Sequence, residues 1–334
     1  MPGPLVNGLI LVVLAGVCQG SFMLPSKGMR GWAWENYWLI FAVTAYLISP
    51  WVLASLTIKN LAGVYTGVSS GSLVAVVIFG IAWGVGAVTF GLGVDALGLA
   101  LGFAVILGLA TTFGTLIPLI VTPPANFTAT KGAIVGVSLA IMLIGVVVCS
   151  FAGKWKESKH GGRRDSYRRG IIVAGVSGLL SACGNLGFAF GGEITRRAQQ
   201  LGTPAHLAPN ALWTLLTLPL FFCNAGYAIY LMRKNGTLAR YRSPDAMRSL
   251  LLAVCMGVLW MAGFEFYGMG ARTLGDLGPS LGWAILMSSM VLVANALGLA
   301  TREWKGAPAA SLRRLWLGVA ILTCAIAGLG YANR

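Results

Sequence analysis

Ten unbroken apolar runs, each close to the length of a membrane crossing, constrain this chain more than anything else in it. A helix needs about 20 apolar residues to cross the hydrocarbon core. Runs of that order occupy residues 4–24, 36–57, 72–93, 97–121, 132–152, 171–192, 209–232, 249–270, 279–300 and 315–331. Hydrophobic residues make up 57% of the chain and charged residues 10%, whereas a soluble domain carries about 25% charged residues. Too few charges remain to cover a water-facing surface. A closed transmembrane barrel is excluded, because its strands would alternate over roughly ten residues instead of running apolar throughout. The chain therefore reads as an all-α integral membrane protein with ten transmembrane helices.

One phrase occurs twice. Trp83-Gly-Val-Gly86-Ala-Val-Thr-Phe-Gly91-Leu-Gly93-Val-Asp-Ala-Leu97-Gly98 and Trp260-Met-Ala-Gly263-Phe-Glu-Phe-Tyr-Gly268-Met-Gly270-Ala-Arg-Thr-Leu274-Gly275 both fit W-x2-G-x4-G-x-G-x3-L-G. Leu101-Gly-Phe-Ala104 is then echoed by Leu281-Gly-Trp-Ala284. The offset is half the chain, which predicts two related halves, 1–152 and 171–334, joined by a basic linker at 153–170. Five spans per half is an odd number, so the second copy must enter the membrane from the opposite face. The expectation is two inverted five-helix repeats with a site between them. Gly86 and Gly263 should then hold equivalent, close-packed positions, since small residues let helices approach closely in lipid.

The formal net charge of +15 would suggest nucleic acid in a soluble protein. Here the basic residues cluster in loops, and basic loops face the cytoplasm. Loops 153–170, 233–248 and 301–314, together with Lys27 and Arg30, carry eighteen of the 24 Lys and Arg residues on one side of a ten-span model. The other six are Lys59, Lys131, Arg196, Arg197, Arg272 and Arg334. Both termini are expected on the periplasmic side. The first span has no Lys or Arg before it and reads as a retained helix rather than a signal peptide. The six cysteines lie inside spans and read as small packing residues; no Cys/His cluster has metal spacing, and no metal or other cofactor is expected.

An ionisable residue inside a span is costly and by default a functional candidate. Glu265 lies well inside the eighth span, between Phe264 and Phe266, and is the first candidate for carrying a proton. Its repeat mate is Val88, so the acid is not part of the shared scaffold. Glu35 opens the second span and Glu303 closes the ninth; each is a candidate at the cytoplasmic end, and each could equally be a helix-end charge. Glu193, at the outer end of the sixth span, is similarly ambiguous. The amides of Gln19, Asn185, Asn224 and Asn295 could bind sugar hydroxyls or bond between helices. Trp260 and Tyr267 offer ring faces to sugar C–H surfaces, or anchor the bilayer interface.

Four stretches together carry a resemblance: Pro25-Ser-Lys27, Trp32-Ala-Trp-Glu35-Asn-Tyr-Trp38, Trp83-Gly-Val-Gly-Ala-Val-Thr-Phe-Gly91, and Glu303-Trp304. In this order and spacing the chain resembles the L-rhamnose/proton symporter family of the drug/metabolite transporter superfamily. The resemblance covers nearly the whole chain. It implies ten helices in two inverted repeats, a central cavity, and proton-driven uptake of a 6-deoxy sugar across a bacterial inner membrane. Lys27, Trp32, Trp34, Glu35 and Glu303 match family motif positions, and the match alone assigns them no role. Glu265 departs from the pattern.

The partners expected are a small sugar, H+ and the lipid bilayer, with a homodimer possible and no nucleic acid. The alternative from the same superfamily is an exporter of amphipathic compounds or metabolites. A membrane enzyme would need a clustered catalytic set, yet both histidines, His160 and His206, lie outside the spans.

Overall fold

The computed structural model describes residues 3–97, 99–123, 128–154, 164–302 and 304–332. Among them, ten helical segments are long and apolar enough to cross a membrane. They are Leu5–Gly28 (span 1), Trp34–Thr57 (span 2), Ser70–Val94 (span 3), Gly102–Val121 (span 4), Ala129–Ala152 (span 5), Arg168–Gln200 (span 6), Pro209–Asn235 (span 7), Ala246–Thr273 (span 8), Gly275–Ala300 (span 9) and Ala309–Ala332 (span 10). The chain is thus a multi-pass, all-α membrane protein. Glu303 and half of the basic linker, residues 155–163, lie outside the described residues.

Spans 2, 6 and 9 are broken, each for a local reason. Span 2 widens into a π-helical turn at Val43–Ile48. Pro50 follows, and its missing N–H leaves the carbonyl four residues earlier, on Tyr46, without its usual donor. The widened turn pushes Thr44 against Gly257 of span 8, where a Cβ would lie 2.6 Å from the Thr44 Cβ. Span 6 breaks at Gly191 and resumes as Gly192–Gln200. The sequence reading ended this span at residue 192 because charged residues follow. The charges instead lie along one side of a short amphipathic helix that buries Ile194, Thr195 and Ala198. Span 9 opens with a 3-10 turn and a π-helical turn at Gly278–Gly282 before its α-helix begins at Trp283. The repeat phrase ends at the start of that opening, at Leu274-Gly275, where Gly275 takes a left-handed φ of 75° that a side chain would disfavour.

The packing partners pair off between the halves. Span 3 lies along span 6, and span 8 along span 1; span 4 also touches span 6, as span 9 touches span 1. Spans 3 and 7 pack together, as do spans 8 and 2, while spans 5 and 10 pack on each other. Gly86 sits at the seam of span 3 with span 6, and Gly263 at the seam of span 8 with span 1. A Cβ at Gly86 would be 2.8 Å from the span 6 backbone at Leu180 and Ser181, and one at Gly263 would be 2.7 Å from the Gln19 amide of span 1.

Candidate transport site

Aromatic side chains from six spans meet in the interior. Trp260 of span 8 touches Tyr46 of span 2 edge-on at 4.7 Å, Trp83 of span 3 at 5.7 Å and Phe264 at 4.4 Å. Phe264 meets Trp213 of span 7, which stacks on Phe188 of span 6 at 5.1 Å. Tyr267 continues the layer from Phe188 to Trp283 of span 9. These rings are buried, and Trp260 and Tyr267 are therefore interior groups rather than interface anchors.

The amides predicted as sugar contacts have protein partners in this state. Asn185 is fully buried and donates to the carbonyls of Gly114 at 2.7 Å and Pro279 at 2.8 Å. The Gly114 carbonyl needs that donor, because Pro118, four residues on in the same helix, has no N–H to give it. Tyr267 donates to the Asn185 side-chain oxygen and, at 3.1 Å, to Pro279. Gln19 donates to the Trp260 carbonyl at 2.8 Å. Asn224 accepts from the Trp38 indole at 3.1 Å and donates to Leu220 at 2.9 Å. Asn295 bonds back to Val291 at 2.8 Å.

Glu265 lies well inside its helix, about two turns before the end at Thr273 and toward the end opposite the basic loops. The carboxylate is half-buried and accepts from the Asn210 amide of span 7 at 3.1 Å. That amide also donates to Thr57, the last residue of span 2, at 3.1 Å. Asn210 is 1% exposed, and its side-chain oxygen has no partner. The Trp213 indole N–H, one turn along, has none either. Sequence reasoning missed Asn210; the signal was an amide directly after Pro209, at the start of an otherwise apolar span.

Each end of the bundle is closed by a tyrosine. At the Glu265 end, Tyr65, on the short helix Leu61–Thr66, donates to the Ala211 carbonyl at 2.8 Å and meets the Thr214 hydroxyl. Glu193 reinforces this closure by accepting from the Ser69 backbone at 2.9 Å, from the Ser69 hydroxyl and from Ser72. At the basic end, Tyr241 donates to the Asn36 carbonyl at 2.9 Å. Glu35, 4% exposed in the first turn of its helix, accepts from Asn235 at 3.1 Å and Thr237 at 2.8 Å. Lys27 donates to Thr301 at 3.0 Å, joining the first loop to the end of span 9. Of the family-motif aromatics, Trp32 stands edge-on to Tyr241, and Trp34 stacks on Trp38. The structure thus brings Glu265 together with Asn210 and Thr57, and sets Glu35 at the other end.

The model of the L-rhamnose-proton symport protein (RhaT) family matches residues 1–333. The chain belongs to this family. The L-rhamnose-proton symporter of Escherichia coli O1:K1 / APEC is similar at 26% identity over 357 aligned positions, with 100% of both chains covered. That of Cronobacter sakazakii is similar at 28% identity, again with 100% of both covered. No part of this chain therefore lies outside its likeness to the family.

Proposed function

We propose that this chain is a proton-coupled secondary transporter that imports a monosaccharide, L-rhamnose or a related 6-deoxy sugar, by alternating access across a bacterial inner membrane. The observation that carries this reading is the family match over residues 1–333, with relatives named as L-rhamnose-proton symporters aligned end to end. The structure lends support in two ways. It has an acid inside a span, hydrogen-bonded to Asn210 of span 7, which in turn bonds to Thr57 of span 2, and it has one closure at each end of the bundle.

In this reading 1–152 and 171–334 are inverted repeats. The paired packing of spans 3 with 6 and 8 with 1 supports it, as do the closures. Tyr65 and Tyr241 are 176 positions apart, against 177 for Trp83 and Trp260. Each follows the second span of its half and reaches the first turns of the second span of the other half. Transport then opens one tyrosine closure while the other holds. Glu265 carries the proton, and Glu35 anchors the inner closure. The basic loops face the cytoplasm and both termini the periplasm. The sugar lies against the aromatic layer of Trp260 and Tyr267, where C–H faces stack on rings, once the spans part.

Uptake into proteoliposomes tests the proposal. L-rhamnose and a small panel of radiolabelled sugars are offered with and without an imposed pH gradient. Accumulation of a 6-deoxy sugar only with the outside acid is the expected result. Equilibration without accumulation would mean a passive pathway. Indifference to every sugar would favour the export of amphipathic compounds.

A further inference from the structure

Asn210 stands between two groups on different spans, and its bonding is lopsided. Both of its amide hydrogens are used, one on Glu265 and one on Thr57, each at 3.1 Å. Its carbonyl oxygen is buried and unpartnered. Such an acceptor is rare in a native interior and costs about 1–3 kcal/mol. The orientation nevertheless makes sense while Glu265 is ionised, because a carboxylate only accepts and a bond to it is charge-assisted.

A proton on Glu265 changes both terms. The bond from Asn210 becomes a neutral one, and the acid gains an O–H that must donate. The unpartnered acceptor beside it is the Asn210 carbonyl oxygen. To meet it the amide must turn about its terminal torsion, which carries the N–H away from Thr57. Thr57 cannot follow by donating, since its hydroxyl already donates to Leu53 at 2.7 Å. Span 2 then loses its bond to span 7 at the end where Tyr65 makes the neighbouring closure.

We infer that Asn210 is the positioning residue that converts protonation of Glu265 into release of the seam between spans 2 and 7. This rests on the reading of Glu265 as proton carrier. The proton enters from external water, resides on the carboxyl and leaves to the cytoplasm; no bond other than that O–H is made or broken.

Of the spans packed on span 8, span 2 brings Tyr46 in its interior and is followed by Lys59, and span 1 brings Cys18. Span 6 ends with Arg196 and Arg197, and His206 precedes span 7. Glu193 is held by Ser69 and Ser72. Arg272 and Asp276 interact beyond Glu265 at the end of span 8, with Arg196 nearby.

The test follows sugar exchange and gradient-driven accumulation in proteoliposomes over a range of external pH, for Glu265→Gln, Asn210→Leu, Thr57→Val and Thr57→Ser. Thr57→Val removes the acceptor at a half-buried position and keeps the shape, so it serves if Asn210→Leu folds poorly. The expected result is that Thr57→Val and Asn210→Leu flatten the pH dependence of exchange and cut accumulation about tenfold, while Thr57→Ser, which keeps the hydroxyl, behaves as the parent. If Glu265→Gln abolishes the pH dependence but Thr57→Val and Asn210→Leu retain it in full, Glu265 stands as the carrier and Asn210 is not its relay. If Glu265→Gln itself keeps the parental pH dependence, the carrier reading falls and this inference falls with it.

Discussion

The rings of Trp83 and Trp260, the tryptophans that open the two copies of the repeated phrase, lie 5.7 Å apart with their planes inclined by 31°. Residues separated by half the chain therefore touch at the centre of the bundle. Under the inverted-repeat reading they are symmetry mates beside the pseudo-two-fold axis, where equivalent residues come together. Trp260→Ala removes a buried ring that also packs on Phe41, Tyr46 and Phe264. A loss of about 3–5 kcal/mol is expected, read as a lowered Tm in detergent. Because the two rings are in contact, the Trp83→Ala/Trp260→Ala double variant should lose less than the sum of the single losses. Strict additivity would mean that the contact carries no energy.

Replacing Glu265 by Gln keeps shape and hydrogen bonding but removes titration. Sugar exchange at equal pH should persist, and accumulation driven by a proton gradient should fall to the level of equilibration. If the residue only packs, the variant accumulates like the parent, and Glu35 and Glu303 become the next candidates.

The two tyrosine closures should respond to substitution on opposite sides. Tyr65→Phe removes the donor to Ala211 and should raise labelling of introduced cysteines in the outer half of the bundle. Tyr241→Phe, losing its bond to Asn36, should do so in the inner half. Each is expected to shift the balance by about 1 kcal/mol, a five- to tenfold change in labelling rate. Equal effects on both sides would separate the tyrosines from gating. Burial pushes the Tyr65 phenol up to about 12. A raised phenol favours the neutral donor, so the closure is whole below the ordinary tyrosine pKa of about 10. It weakens only as pH rises from there through about 12, and any pH dependence of outer opening near neutrality must come from another group.

Glu35 is expected to act through the loop it holds. Glu35→Ala leaves the Asn235 amide and the Thr237 hydroxyl without their acceptor, at a cost of about 1–3 kcal/mol. The maximal rate of transport should fall, while the accumulation reached at a given pH gradient stays as in the parent. A fall in that limiting ratio would instead place Glu35 on the proton path.

Orientation can be read with cytoplasmic-reporter fusions. The basic asymmetry predicts an inactive reporter at Arg334 and an active one within 153–170. The reverse pattern would overturn the orientation and leave the helix packing untouched.

The ten crossings were legible in the sequence, since apolar length is a one-dimensional signal; the repeated pattern marked Trp83 and Trp260 as counterparts but gave no hint that their rings touch. Glu265 was legible as an acid within an apolar run, but its partner Asn210 was not. The π-helical turn in span 2 was signalled only by Pro50, and the extension of span 6 was hidden because its amphipathic end looks like a charged loop. What joins Asn210 to Thr57, or Tyr65 to Ala211, is a hydrogen bond across about 150 residues of chain. No spacing rule reaches that far.

The bonds of Asn185 make three distant positions answer for one another. A proline at 118 strips a carbonyl of its donor within hydrocarbon, where no water can take its place, and the amide at 185 meets that need while also holding the opening of span 9. A lineage that lost the amide would inherit an unpaired carbonyl unless it had already lost the proline. Loss of the amide at 185 should therefore be purged while Pro118 is present and tolerated once it has gone: Asn185→Leu should insert poorly, and the same change in a Pro118→Ala background should recover.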